Sequence, residues 1–148
     1  MDDRVKKIDT VRKCEIFARN ARDRGREDLA KEAEARAVEI SADAHNAQSQ
    51  VERECLQAVY AYEAAQSRLK GRTFRATRTW QMIKRHGIIK AVERAVDRVD
   101  ETMGYQALVD MGMGEFAFER VILRHPEEFS DGAVSRSRER VGNDQADT

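Results

Sequence analysis

Proline is almost missing from this chain: Pro126 is the only one among 148 residues. Aromatic residues are also few, at 6%, so any core must be lean and alanine must fill much of it. No apolar run is long enough to cross a bilayer, and no basic-then-apolar leader opens the sequence. The expectation is a soluble, cytoplasmic protein with no membrane partner. The two cysteines, Cys14 and Cys55, stand far apart and form no CxxC pair. Both fall on apolar helix faces and read as buried free thiols. Overall charge is also absent, with 27 basic and 27 acidic residues. No global acidic or basic character therefore points to a partner.

Local chemical signatures are missing as well. No glycine-rich loop follows a strand, and no strand is predicted. His45, His86 and His125 lack neighbours suggestive of a triad or a metal site. His86 and His125 read more simply as residues at helix C-termini, where a cation complements the dipole. No catalytic residue, metal or cofactor is expected, and the chain does not read as an enzyme.

What is present is helix-forming composition, rich in Ala, Glu, Arg, Leu and Val, with 36% charged residues. The fold class expected is all-α. A first helix is predicted from Asp3 to Asp23, with Ile8, Val11, Cys14, Phe17, Ala18 and Ala21 on one side. Gly25 marks its end. A second helix is predicted to run unbroken from Glu27 to about Lys70, since that span holds no Pro or Gly. Its apolar seam includes Ala30, Ala33, Ala37, Ile40, Ala44, Ala47, Val51, Cys55, Ala58, Tyr62, Ala65 and Leu69. The steps alternate three and four, as in a coiled coil, with one stutter at Val51. Such a helix spans roughly 65 Å, so it must protrude or break, with His45-Asn46 the weakest point. Ala33, Ala37, Ile40, Ala44, Ala47, Val51, Ala58 and Tyr62 are the expected self-association surface of a homodimer.

Gly25, Ala30 and Ala37 stand at offsets resembling a tetratricopeptide-type unit, although Glu34 sits where that family has an aromatic. Only one unit is present, and such repeats require neighbours. Downstream, a helix is expected from Arg72 or Thr73 to His86, and another over Ile88–Arg98. Short ones follow over Tyr105–Met111 and Glu115–Arg124, and one from Ser130 to Val141 with Ser130 or Asp131 as its cap. Pro126 ends the second of these, and Gly142–Thr148 reads as a disordered tail. The segment around Met111-Gly112-Met113 resembles a ubiquitin-associated type of domain, but Ala117 comes one residue early, and no ubiquitin binding is carried over. The expected domains are a helical hairpin arm over 1–70 and a small bundle over 71–141. Phe74, Trp80, Ile83, Ile88, Val92, Leu108, Phe116, Phe118, Val121 and Ile122 are its predicted anchors.

Charge is distributed unevenly. Residues 71–98 carry eight basic and two acidic groups, whereas residues 99–148 carry five and eleven. A basic block of net +6 thus precedes an acidic block of net −6. On a helical wheel Ala76, Trp80 and Ile83 form a core face, and Arg75, Arg78, Met82 and Arg85 another. Arg68, Lys70, Arg72, Arg75, Arg78, Lys84, Arg85 and Lys90 are the candidate nucleic-acid-binding residues, because cations spaced along a helix track phosphate charge and release counterions. Neutralisation by the acidic block is the bland alternative.

A helix-turn-helix centred on Gly87 places Ile83, Ile88 and Val96 correctly but puts Glu93 at a position that should be buried. One centred on Gly112 suits Leu108, Met113, Phe118 and Val121, but its second helix opens with acidic Glu115. Backbone binding without strong sequence preference is therefore expected. The alternative is a protein-interaction module, an adaptor or inhibitor, that uses the long helix and mixed-charge surface.

Overall fold

The structure, a computed structural model, describes the backbone of residues 1–97 and 101–146 and the side chains of 1–97 and 104–142. Among the described residues every regular element is helical and no strand occurs, as composition predicts. The chain forms two compact units, Met1–Ala47 and Gln48–Thr148.

The first unit contains α1 (Asp3–Lys6), α2 (Val11–Asp23) and α3 (Glu27–Asp43). The single first helix predicted from the sequence is interrupted before Val11, because the Thr10 hydroxyl accepts the Lys13 N–H at 3.1 Å and opens a new helix. The predicted hairpin of α2 and α3 is present. Gly25 turns at φ +73°, and Arg26 N–H donates back to the Ala21 carbonyl at 2.8 Å, satisfying groups the helix end leaves open. Ala18, Ala21, Leu29, Ala30 and Ala33 form the core, with Phe17 packed against them. Outside it, Arg22 pairs with Glu27 and Glu34, so Glu34 is an ion-pair residue here. Cys14 is buried, as expected.

The unbroken helix from Glu27 to Lys70 is the principal correction. It consists of α3, ending at Asp43, and α4 (Gln50–Lys70). The Ser49 hydroxyl accepts the Glu52 N–H at 3.2 Å, while the Glu52 carboxylate reaches back to the Gln48 N–H at 3.2 Å. This reciprocal arrangement is close to a capping box, and it starts α4 afresh just past His45-Asn46. No helix exceeds the 21 residues of α4, so no coiled-coil-length arm forms among the described residues.

In the second unit α4 packs against α6 (Ile88–Ala95), α7 (Glu101–Asp110) and α8 (Phe118–Arg124). The other helices are α5 (Thr77–His86) and α9 (Asp131–Ala146), with short 3-10 turns at Gly114–Phe116 and Pro126–Glu128. The boundary expected at Lys70 thus lies before α4, because Val51, Cys55, Ala58 and Val59 belong to the same core as Val92, Val96, Phe118, Val121 and Ile122. Phe74, Trp80, Ile83 and Ile88 pack around that core, and Leu108 and Phe116 are buried. Burial pushes the Cys55 thiol up to about 12. The Ser130 hydroxyl caps α9 through the Ala133 N–H at 3.2 Å. That helix runs through Ala146, past the predicted start of a tail at Gly142, while Asp147 and Thr148 lie outside the described residues.

The proposed dimer seam does not survive as a surface. Ala33 is core in the first unit, and Val51 and Ala58 are core in the second. Ala37, Ile40 and Ala47 are half-buried and Ala44 is exposed, but the break after Asp43 separates them from the α4 positions. Tyr62 packs edge-on against Phe74 at 5.8 Å and tilted against Phe118 at 5.7 Å.

Candidate nucleic-acid interface

The basic block begins where α4 ends. Gly71 adopts the left-handed conformation at φ +66°, and Arg72 N–H donates to the Ser67 carbonyl at 3.2 Å. The Ser67 hydroxyl accepts the Phe74 N–H at 2.9 Å. These bonds hold Arg72–Ala76 as a non-helical strap. Arg72 and Arg75 therefore do not share a helix with Arg78 and Arg85, contrary to the wheel reading.

Glu63 fixes the other end of the strap. It is only 7% exposed, and its Oε2 accepts the Ala76 N–H at 2.7 Å and the Trp80 Nε1–H at 2.9 Å. A carboxylate at this point favours the start of α5, whose N-terminus carries positive dipole charge. Arg75 Nε stands 3.8 Å from the same oxygen, and its side chain is 71% exposed. That separation is too long for a hydrogen bond, leaving an exposed ion pair of little energetic weight.

The remaining candidate cations are placed as follows. Arg72, Arg78, Lys84 and Arg85 are exposed, and none of the four has a carboxylate partner among the described residues. Lys84 and Arg85 occupy the last turn of α5, where positive charge complements the helix dipole. Lys70 lies 4.9 Å from the Phe74 ring centroid in a cation–π contact. Lys90 pairs with Glu93 at 3.3 Å. Arg68 is exposed on the last turn of α4. Asp100–Met103, part of the acidic block, lie outside the residues whose side chains are described.

The α5–Gly87–α6 turn is the helix pair expected from the sequence, with Gly87 at φ +91°. Glu93, the misfit in a helix-turn-helix reading, is explained: its Oε1 accepts the Ser130 N–H at 2.6 Å, and its Oε2 meets Lys90. Burial works to raise its carboxyl, but these bonds prevail and hold it below the ordinary value.

Sequence reasoning missed a groove of about 450 Å³ between the end of α4 and the start of α5. Lys70, Arg75, Arg78 and Thr79 line it, with Tyr62, Leu69 and Phe74. Glu63 was missed as well. The available signal was Trp80 itself, since an indole N–H packed against a core needs an acceptor. In comparisons with known proteins, the chain matches no protein-family model, no curated protein and no solved structure.

Proposed function

We propose that this protein binds nucleic acid through the phosphate backbone, without strong sequence preference. The observation that supports this is the set of Arg72, Arg78, Lys84 and Arg85, exposed and without a carboxylate partner among the described residues. Cations already paired have little to offer a phosphate, whereas open ones release counterions on binding. Arg75 joins them, since its contact with Glu63 at 3.8 Å is weak enough to exchange.

The test is fluorescence anisotropy with labelled DNA and RNA at low salt. Changing Arg75, Arg78 and Arg85 together to Glu lowers affinity at least about ten-fold, equally for unrelated sequences. Failure of the unmodified protein to bind single- or double-stranded DNA or RNA overturns the reading. So does full affinity in the triple variant.

The second reading, an adaptor or inhibitor that engages a protein, is favoured by Leu69, which stands 57% exposed at the end of α4. A stoichiometric co-purifying protein without nucleic-acid absorbance supports it instead.

A further inference from the structure

We infer that the first unit holds a binding site for a small aromatic carboxylate, in a cavity between α1, α2 and the Gly25 turn. None of its residues belongs to the Arg72–Arg85 surface, so it stands apart from the nucleic-acid reading.

The cavity has a volume of about 230 Å³. Phe17, Ala21 and Leu29 form its apolar wall, and Arg4, Arg24 and Arg26 line it as well. Among the described residues no carboxylate lines it. Local structure brings the three arginines together. Asp2 Oδ1 accepts the Arg4 N–H at 2.8 Å and opens α1. Arg24 ends α2, its N–H donating to the Ala21 carbonyl at 3.1 Å. Gly25 then turns at φ +73°, and the Arg26 N–H returns to the same carbonyl at 2.8 Å. The turn thus sets one arginine on either side of a glycine, and both reach the cavity.

These guanidinium groups keep donors to spare. Asp2 takes Nε and Nη2 of Arg4, at 3.1 and 3.2 Å. Asp28 takes Nε and Nη2 of Arg26, at 3.1 and 3.0 Å. Each fork is oriented by its carboxylate, while its Nη1 has no hydrogen-bond partner among the described residues. Arg24 is exposed, and no hydrogen bond or ion pair among the described residues engages its guanidinium. Guanidinium nitrogens only donate, so the ligand must be an acceptor. Charge narrows the choice. Asp2, Asp28 and Glu32, whose Oε2 accepts the Asp2 N–H at 3.2 Å, already counter the three cations. No excess is left for a doubly charged phosphate monoester. A carboxylate brings a single charge, and its two oxygens match a guanidinium edge.

The apolar wall selects the body of the ligand. Phe17 packs against the alanine core yet stays half-buried, and the Arg4 Cζ stands 5.9 Å from its ring centroid. A second aromatic ring gains both from the Phe17 ring and from the guanidinium beside it. About 230 Å³ is smaller than a drug-sized pocket, so a single ring with its carboxylate suits it.

The experiment titrates benzoate into the full chain and follows it by NMR. The Phe17 ring and Arg24 side-chain N–H signals are expected to shift, with a dissociation constant of about 1 mM. Acetate, which lacks the ring, and benzamide, which lacks the charge, are expected to bind at least about five-fold more weakly. Arg24→Gln is expected to weaken benzoate binding about three- to ten-fold and to leave the unfolding midpoint unchanged, since Arg24 has no partner to lose. Phe17→Leu keeps an apolar side chain on the core and erodes the advantage of benzoate over acetate. Benzoate additions that leave Phe17 and Arg24 unmoved overturn the inference. So does equal affinity for acetate or benzamide, or an Arg24→Gln variant that binds benzoate as well as the unmodified protein. Tighter binding of phenyl phosphate than of benzoate overturns the carboxylate assignment in favour of a phosphate site. None of these outcomes involves the Arg72–Arg85 surface, so the nucleic-acid reading stands or falls on its own test.

Discussion

The Glu63 carboxylate accepts the Trp80 indole N–H at 2.9 Å, joining the middle of α4 to the first turn of α5. The same oxygen holds the Ala76 N–H, so one buried group sets where the basic strap ends and α5 begins. Glu63→Leu leaves two donors without a partner and is expected to cost about 2–4 kcal/mol in denaturant unfolding. Glu63→Gln keeps an acceptor and costs about 1 kcal/mol. Because it also removes the negative charge that faces Arg75, the Gln variant is expected to bind nucleic acid more tightly than the unmodified protein. Weaker binding by a folded Gln variant contradicts this placement of charge.

Glu54 on α4 holds the end of α8 through Arg124 at 2.6 Å and His125 at 2.8 Å. Partial burial works to raise the Glu54 carboxyl, but the His125 and Arg124 hydrogen bonds outweigh it and hold its pKa below the ordinary 4.5. A carboxyl depressed on folding contributes stability that is present above its unfolded pKa. That contribution is lost as pH falls through the folded value. Glu54→Gln is therefore expected to destabilise at pH 7 by about 1 kcal/mol. Its unfolding midpoint converges on that of the unmodified protein below pH 4.5. A gap that persists at the lowest accessible pH counts against this account.

Glu119 and Arg140 form the buried counterpart, at 3.2 Å with side-chain exposures of 3% and 13%. Here burial dominates and raises the Glu119 carboxyl, while a backbone hydrogen bond and Arg140 only partly offset it. A raised carboxyl favours the folded state when protonated, and that advantage is lost as pH rises through the folded pKa. Arg140→Met removes the compensating cation, and the expected loss at pH 7 is about 3 kcal/mol. The loss shrinks on acidification as Glu119 takes up its proton. Thermal unfolding of both proteins at pH 5 and pH 8 tests this. A loss independent of pH points instead to packing of the arginine stem.

Ser49 starts α4, and its replacement by Ala is expected to cost about 1 kcal/mol, read from the urea midpoint. Glu52→Ala removes the reciprocal bond from the Gln48 N–H, which sits at an exposed residue where water replaces the lost acceptor, and is expected to cost no more than the Ser49 change.

That cap also shows how much of the fold was legible. The pattern Ser49-Gln-Val-Glu52 is a helix-start signature, yet the run of seam residues through Ala44, Ala47 and Val51 suggested continuity. Periodicity outweighed capping in the reading, whereas in the structure local hydrogen bonds decide. The all-α class, the α2–α3 hairpin, the turns at Gly25 and Gly87, and anchors such as Val92, Phe118 and Ile122 follow directly from composition and spacing. The strap from Arg72 to Ala76 does not. It depends on Glu63, 13 residues before Ala76 and 17 before Trp80, and a glutamate in a charged helix looks like any solvated one.

The most direct test of the central claim, that the Arg72–Arg85 surface is open for phosphate, is the salt dependence of affinity for a mixed-sequence duplex. Four phosphate contacts predict a slope of log K against log salt of about −3 to −4. The slope becomes shallower by about one for each cation among Arg72, Arg78, Lys84 and Arg85 changed to Ala. A slope near zero, or one that none of these substitutions alters, contradicts it.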